Sequence, residues 1–305
     1  MAKKILVLIL GLVVIALFTG IASAATTADV IFVVDESGSM SGEHAWLKTM
    51  VTQLDEKLTA EGVTGNRYGL VGYGAASSHG IDPHKHSVGG GDWGTASQLS
   101  DATSTLVLTG SIEDGWFGIT FALTEYVFRA NAAVNIILVT DEDRDNRNSS
   151  ITYQTTLDLL DQNKAILNAV VNANFRAYGI TNNTTVMGIT ADDQDPNTEG
   201  NQNAYIADGS GGYSLGTDGY YYSGSGTTKA DYVDMALASG GAAWNLNILR
   251  SGGNSATSFT TAFIDLKVKE IQEQDPHQPV PEPATMTLLA SGLIGLAAMR
   301  RKKRD

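Results

Sequence analysis

Two periods of apolar residues alternate along the chain. Val30-Ile31-Phe32-Val33-Val34 is a continuous run rich in β-branched residues, as a strand buried on both faces requires. From Glu43 to Glu61 the residues Trp46, Leu47, Met50, Val51, Leu54 and Leu58 recur at helical spacing, with Ser41 placed to cap the start and Gly62 to close the end. Tyr68 to Tyr73 and Ser104 to Leu108 read as a second and a third strand. A helix is expected from about Asp114 to Arg129, carrying Trp116, Ile119, Leu123, Tyr126 and Val127, and the strongest strand, Val134 to Val139, follows it. Thr156 to Asn174 reads as helix, Phe175 to Ile180 as strand, Ala230 to Ser239 as helix, Ala243 to Leu249 as the sixth strand and Ser258 to Gln272 as the last helix. Such a βαβ rhythm predicts an α/β fold: a mainly parallel six-stranded sheet with helices on both faces, over residues 28–272.

Two stretches break the rhythm. Residues 74–94 hold six glycines and three histidines, and residues 181–229 are rich in Gly, Asn, Asp and Tyr. Both read as insertions, since loops this long in a compact domain are usually functional or disordered. Residues 273–283, with four prolines, read as a linker.

The two ends differ from the body in charge. The chain has 305 residues, 33 acids, 20 bases and no cysteine, a net charge of −13. Lys3, Lys4 and five of the last six residues supply seven of the bases, so residues 25–299 carry 13 bases against 32 acids, a net of −19. A body this acidic has no footprint for nucleic acid, and thiol chemistry is excluded outright. Lys3-Lys4, the apolar run Ile5 to Phe18 and Ala22-Ser23-Ala24 follow the order of a secretory signal peptide over residues 1–24, with cleavage expected after Ala24. At the other end Pro281-Glu282-Pro283 precedes an apolar run of 16 residues, Ala284 to Met299, and then Arg300, Arg301, Lys302, Lys303 and Arg304. Sixteen residues fall just under the roughly 17–25 that span a bilayer as a helix, and flanking bases can snorkel to make up the difference. This tripartite end, residues 281–305, resembles the PEP-CTERM sorting signal of Gram-negative bacteria. The resemblance implies processing by an exosortase at the inner membrane, a transient transmembrane helix, and delivery to the cell surface or extracellular matrix.

The first strand runs straight into Asp35-Glu36-Ser37-Gly38-Ser39. In an open α/β sheet ligands bind beyond the carboxyl ends of the strands. There a D-x-S-x-S loop offers one carboxylate and two hydroxyls, hard donors suited to Mg²⁺, Ca²⁺ or Mn²⁺. Read without its surroundings, the same loop is equally a Ser/Gly turn whose Asp caps the next helix. The loop and the strand order resemble the metal-ion-dependent adhesion site and Rossmann-like fold of von Willebrand factor type A domains. That resemblance implies a metal set of Asp35, Ser37 and Ser39, joined by Asp141 after the strongest strand. A threonine is expected in a third loop, yet Ser111-Ile112-Glu113-Asp114-Gly115-Trp116 has none. It looks like the acidic variant of integrin β-subunit I-like domains, which makes Glu113 the ligand and Asp114 the fallback. Glu113 in place of threonine is expected to tighten cation binding toward Ca²⁺ and to weaken the pull on an incoming carboxylate.

Other features carry less. Asp82-Pro83-His84-Lys85-His86, with His79 nearby, is read as a solvated loop, His84 and His86 being assigned to opposite sides of an extended strand. Asp192 to Asn197 lacks the Gly and terminal Glu of a calcium loop. The tyrosines at 205, 213, 220, 221 and 222 suit either a partner surface or a β-hairpin. The expected function is therefore adhesive: an exported, non-enzymatic protein that binds an acidic group of a protein or matrix ligand through Mg²⁺ or Ca²⁺, in adhesion or biofilm. The competing readings are a structural component stiffened by its cation and a metal-assisted hydrolase with Glu36, Asp114 or Glu142 as base.

Overall fold

A computed structural model describes residues 27–76, 79–180, 185–191 and 202–274. The signal segment with Ala24, the acidic run Asp192 to Asn197 and the sorting segment with Pro281, Glu282 and Pro283 lie outside the described residues. Strand β1 (Ala28–Asp35) is central and buried at every position. It pairs in parallel with β2 (Arg67–Tyr73) on one side and β4 (Ala133–Thr140) on the other. β5 (Ala165–Val171) continues in parallel beside β4, and β10 (Ala242–Asn245) beside β5. Alternate residues of β1 face opposite layers. Val30, Phe32 and Val34 pack with α1 (Ser41–Ala60), α2 (Ala96–Ala102) and α7 (Gly253–Glu273). Ile31 and Val33 pack with α3 (Gly115–Glu125), α4 (Tyr153–Gln162) and α5 (Asp234–Ala238). The parallel core and its two helical layers are as expected.

The sheet is wider than six strands. β3 (His84–His86) adds antiparallel to β2, and β7 (Val186–Thr190), β8 (Gln202–Ala207), β9 (Tyr213–Gly224) and β6 (Ala173–Arg176) extend the far side antiparallel, ten strands in order among the described residues. The two insertions therefore supply four of the added strands, β3 from residues 74–94 and β7, β8 and β9 from residues 181–229. Tyr205 is core, packed on Trp244, whereas Tyr222 is exposed beneath the guanidinium of Arg176.

Four local expectations fail for physical reasons. Thr156 to Asn174 is not one helix: α4 ends at Gln162, Lys164 takes a left-handed φ of 52°, and the chain returns as β5. Its Ala-Ile-Leu-Asn-Ala-Val-Val run is apolar without a period, which does not separate strand from buried helix. Ser104 to Leu108 is not a strand, because α2, opened by a Thr95/Gln98 capping box, runs into a 3₁₀ turn at Thr103–Thr105. α3 stops at Glu125, leaving Val127 exposed, and the Tyr126 hydroxyl donates to the Leu70 carbonyl. β10 stops at Asn245, whose side chain accepts from the Asn247 amide and caps α6 (Leu246–Arg250).

Candidate functional site

β1 carries a buried aspartate at each end, and their surroundings differ. Asp29, at the amino end, is held by the guanidinium groups of Arg67 and Arg129 at 2.7 and 2.6 Å. Asp35, at the carboxyl end and equally buried, receives neutral donors: the Ser37 amide at 2.7 Å and the Thr140 hydroxyl at 2.8 Å. Burial pushes the Asp35 carboxyl up to about 7, against the opposing pull of those hydrogen bonds, and the nearby Asp141 adds to the rise.

From Asp35 a chain of oxygens runs outward. The Ser37 and Ser39 hydroxyls lie 3.1 Å apart, and Ser39 donates to Asp141 Oδ1 at 2.9 Å. Ser39 is exposed, so the chain opens to solvent. Asp141 Oδ2 accepts from Arg250 Nη2 at 2.9 Å, and the same guanidinium binds Glu43 at 2.7 Å. Arg250, missed in the sequence, lies 109 residues from Asp141 and has no local signal. Glu113 enters from the loop before α3. Gly74, at φ +81°, lies close to both Glu113 and Asp35: a Cβ built there would make ordinary contact with Glu113 Cγ at 3.6 Å and Asp35 Oδ1 at 3.7 Å and would press on the Ile112 carbonyl at 3.2 Å. Burial, then the charges of Asp35 and Asp145, push the Glu113 carboxyl up to about 8.

Asp114 has a different job. It caps α3 by accepting from the Phe117 amide and forms a buried two-point ion pair with Arg144 at 2.6 and 3.1 Å. Its oxygens accept from Arg144 and from the Phe117 and Asn148 amides. The structure thus links Asp35, Ser37, Ser39 and Asp141 through hydrogen bonds, sets Glu113 beside Asp35, and commits Asp114 elsewhere. The donors left around Asp35 are all oxygen, and two of the carboxyls carry charge that burial disfavours. That set fits a hard divalent cation.

The raised carboxyls give a pH prediction. Ordinary carboxyls titrate near 4, so between about pH 4 and 8 the metal-free native state holds protons that the unfolded chain has lost. Stability from these two groups therefore falls as pH rises through that window. A cation removes the penalty and binds best once the site is deprotonated. The melting-temperature gain from Mg²⁺ over chelator should be larger at pH 8 than at pH 5.5; equal gains would refute it.

A second cluster lies on the other side of the same loop. Glu36, fully buried, turns toward three imidazoles: His84 Nε2 at 2.9 Å, His79 Nδ1 at 3.1 Å and His86 Nε2 at 3.4 Å. The ligand atoms of these four residues lie within 4.8 Å of one another. Among the described residues, no other group of three or more acidic or imidazole ligands is gathered this tightly, and Asp35, Glu113 and Asp141 are not. The reading of His84 and His86 as facing apart is wrong. Residues two apart on a strand share a face, and β3 pairs them against Gly72 and Leu70 of β2. Three histidines within eight positions were the available signal.

No curated protein sequence matches the chain. Among solved structures it is similar to proximal thread matrix protein 1 from the mussel byssus, with 16% identity over 50% of this chain and 37% of that one, TM-score 0.36. A form of that protein with a zinc-occupied MIDAS motif gives 16% identity, the same coverage and a TM-score of 0.35. An aerotolerance-related membrane protein from Bacteroides fragilis, carrying multiple mutations to serines, gives 14% identity over 80% of this chain and 99% of that one, TM-score 0.41. The chain spans 37% of the mussel protein's length. Residues 279–302 match the family model of the PEP-CTERM protein-sorting motif: the chain carries an export-sorting signal, which implies passage through the membrane and processing by an exosortase.

Proposed function

We propose that the exported protein binds a macromolecular partner through a divalent cation held at the carboxyl end of β1. Asp35, Ser37, Ser39, Glu113 and Asp141 are the residues that would hold it, and Mg²⁺ or Ca²⁺ matches their oxygen donors. When bound, the cation supplies residual positive charge at a solvent-facing edge, where an acidic group of a protein or matrix ligand can dock. The observation that carries this reading is the contrast along β1. Asp29 is neutralised by two arginines, while Asp35 is buried to the same depth among neutral donors, beside a second carboxyl that burial also disfavours.

Binding is preferred over hydrolysis because two of the three carboxylates a hydrolase could use as base are committed. Asp114 is paired with Arg144, and Glu36 faces the histidines. Glu142 is exposed. The sorting signal together with this site supports a surface destination and an adhesive or biofilm role. The experiment is retention of the full exported protein on extracellular material of the producing cells, with Mg²⁺ and with EDTA. Loss of retention in EDTA with the fold intact supports the reading. Retention unchanged in EDTA contradicts it, and a lowered melting temperature with unchanged retention favours a purely structural cation.

A further inference from the structure

We propose that Glu36, His79, His84 and His86 form a second metal site, distinct from the oxygen site at Asp35, that takes a zinc-class transition-metal ion and anchors the middle of the D-x-S-x-S loop.

The tautomers argue for it. The carbonyl of Asp82 can only accept, so His84, whose Nδ1 lies 3.1 Å away, must carry its proton there. The Thr105 hydroxyl gives its one proton to the Ala102 carbonyl at 2.7 Å, so it accepts from His86 Nδ1 at 2.6 Å. Both rings therefore commit Nδ1 as a donor on the far side and turn Nε2 toward the Glu36 carboxylate, His84 at 2.9 Å and His86 at 3.4 Å. These are the atoms that the protein leaves without hydrogen-bond partners: Glu36 Oε2, His84 Nε2 and His86 Nε2 are all buried and unpaired. The 2.9 Å approach of His84 to Glu36 is close but not aligned as a hydrogen bond. A metal ion between them, taking Nε2 of each ring and the Glu36 carboxylate as ligands, would satisfy all three atoms at once. Outer acceptors fixing the ring tautomers are the usual support of metal-bound imidazoles.

The geometry suits four-coordination. Bonds of about 2.0–2.1 Å place the ligand atoms of a zinc tetrahedron roughly 3.4 Å apart. The two Glu36 oxygens share the rings at distances near that edge length: Oε2 lies 2.9 Å from His84 Nε2, and Oε1 lies 3.1 Å from His79 Nδ1 and 3.4 Å from His86 Nε2. The rings form a triangle, with centroids 4.9, 5.1 and 5.0 Å apart. Gly72 leaves the floor open: a Cβ there would stand 2.5 Å from Glu36 Oε2 and 2.6 Å from His86 Nε2. Three nitrogens and one oxygen favour zinc, cobalt or nickel over Mg²⁺ and Ca²⁺, which prefer oxygen. Four protein ligands leave no open position, which marks a structural site.

Its consequence is local. The Glu36 amide donates to the Tyr73 carbonyl, and its own carbonyl accepts from the Thr109 amide, both at 2.9 Å. An ion on the Glu36 side chain would tie β3 and the turn before it to the residue between Asp35 and Ser37. One loop would thus carry a hard cation on one side and a borderline cation on the other.

Cobalt(II) reports the difference, because a four-coordinate nitrogen-rich site gives visible d–d bands far stronger than a six-coordinate oxygen site. The full exported protein, stripped of metal, is titrated with Co²⁺ and, separately, with Zn²⁺ against a competing chelator in excess Mg²⁺. The expected result is a strong visible band and one tightly bound Zn²⁺, both surviving Ser39→Ala. His79→Ala, at a partly exposed position, should lower Zn²⁺ affinity by at least about 100-fold, since loss of even an outer partner costs 10–100-fold. Thr105→Val, removing only the acceptor for His86 Nδ1, should cost about 10–100-fold. Absence of the band in the unmutated protein would overturn the proposal. So would Zn²⁺ uptake that survives His79→Ala and His84→Ala but is lost in Ser39→Ala. Mg²⁺ binding at Asp35 is read independently, so failure here leaves that site's test intact.

Discussion

Replacing Asp114 with alanine is expected to destabilise the protein by about 3–5 kcal/mol, the usual cost of breaking a buried ion pair from one side. Asp114 and Arg144 side chains are 3% and 7% exposed, and the guanidinium meets both carboxylate oxygens. Removing the carboxylate strands Arg144 over the Trp116 ring, 4.2 Å from its centroid, with the carbonyls of Asn148 and Ile151 left to accept. α3 also loses its cap at the Phe117 amide, worth about 1 kcal/mol on its own. For a domain of this size the melting temperature should fall by roughly 10 °C. Cation affinity should change little, because Asp114 faces Arg144. The opposite pattern, a small loss of stability with cation binding abolished, would make Asp114 the third-loop ligand in place of Glu113.

The second large effect has an unusual sign. Asp35→Asn should raise the melting temperature of the chelated protein at pH 8, although it removes a buried, hydrogen-bonded group. At that pH Asp35, pushed up to about 7, is largely ionised in a site that disfavours its charge. An asparagine keeps an oxygen for the Ser37 amide. Its NH₂ can donate to Thr140 Oγ1, a hydroxyl that already accepts from the Glu142 amide at 3.3 Å. In Mg²⁺ the order reverses, since ligand binding stabilises only a native state that can bind it. A variant less stable than the parent in chelator as well as in Mg²⁺ would mean that Asp35 is a structural anchor like Asp29.

What was legible from sequence follows from range. β1 and β4 announce themselves as unbroken apolar runs, and the D-x-S-x-S loop sits at the end of one of them. Residues 35, 37, 39 and 141 were nominated by the resemblance of that loop to a metal-ion-dependent adhesion site, and the parallel pairing of β1 with β4 brings the two loops that carry them together. β5 was hidden because a run buried on both faces has no period. Arg250 was hidden because its partners, Glu43 and Asp141, are fixed by packing across the fold. The histidine cluster was partly legible. The spacing of His84 and His86 already puts them on one face, whereas Glu36, some 50 positions away, is supplied by the pairing of β1 with β2 and β2 with β3.

The most direct test is calorimetric titration of Mg²⁺ and of Ca²⁺ into the chelator-treated, full exported protein at pH 8, beside Asp35→Asn. The account predicts saturable one-site binding, tighter for Ca²⁺ because of Glu113, and its loss in Asp35→Asn, which remains folded. Equal affinity in the two proteins would contradict it.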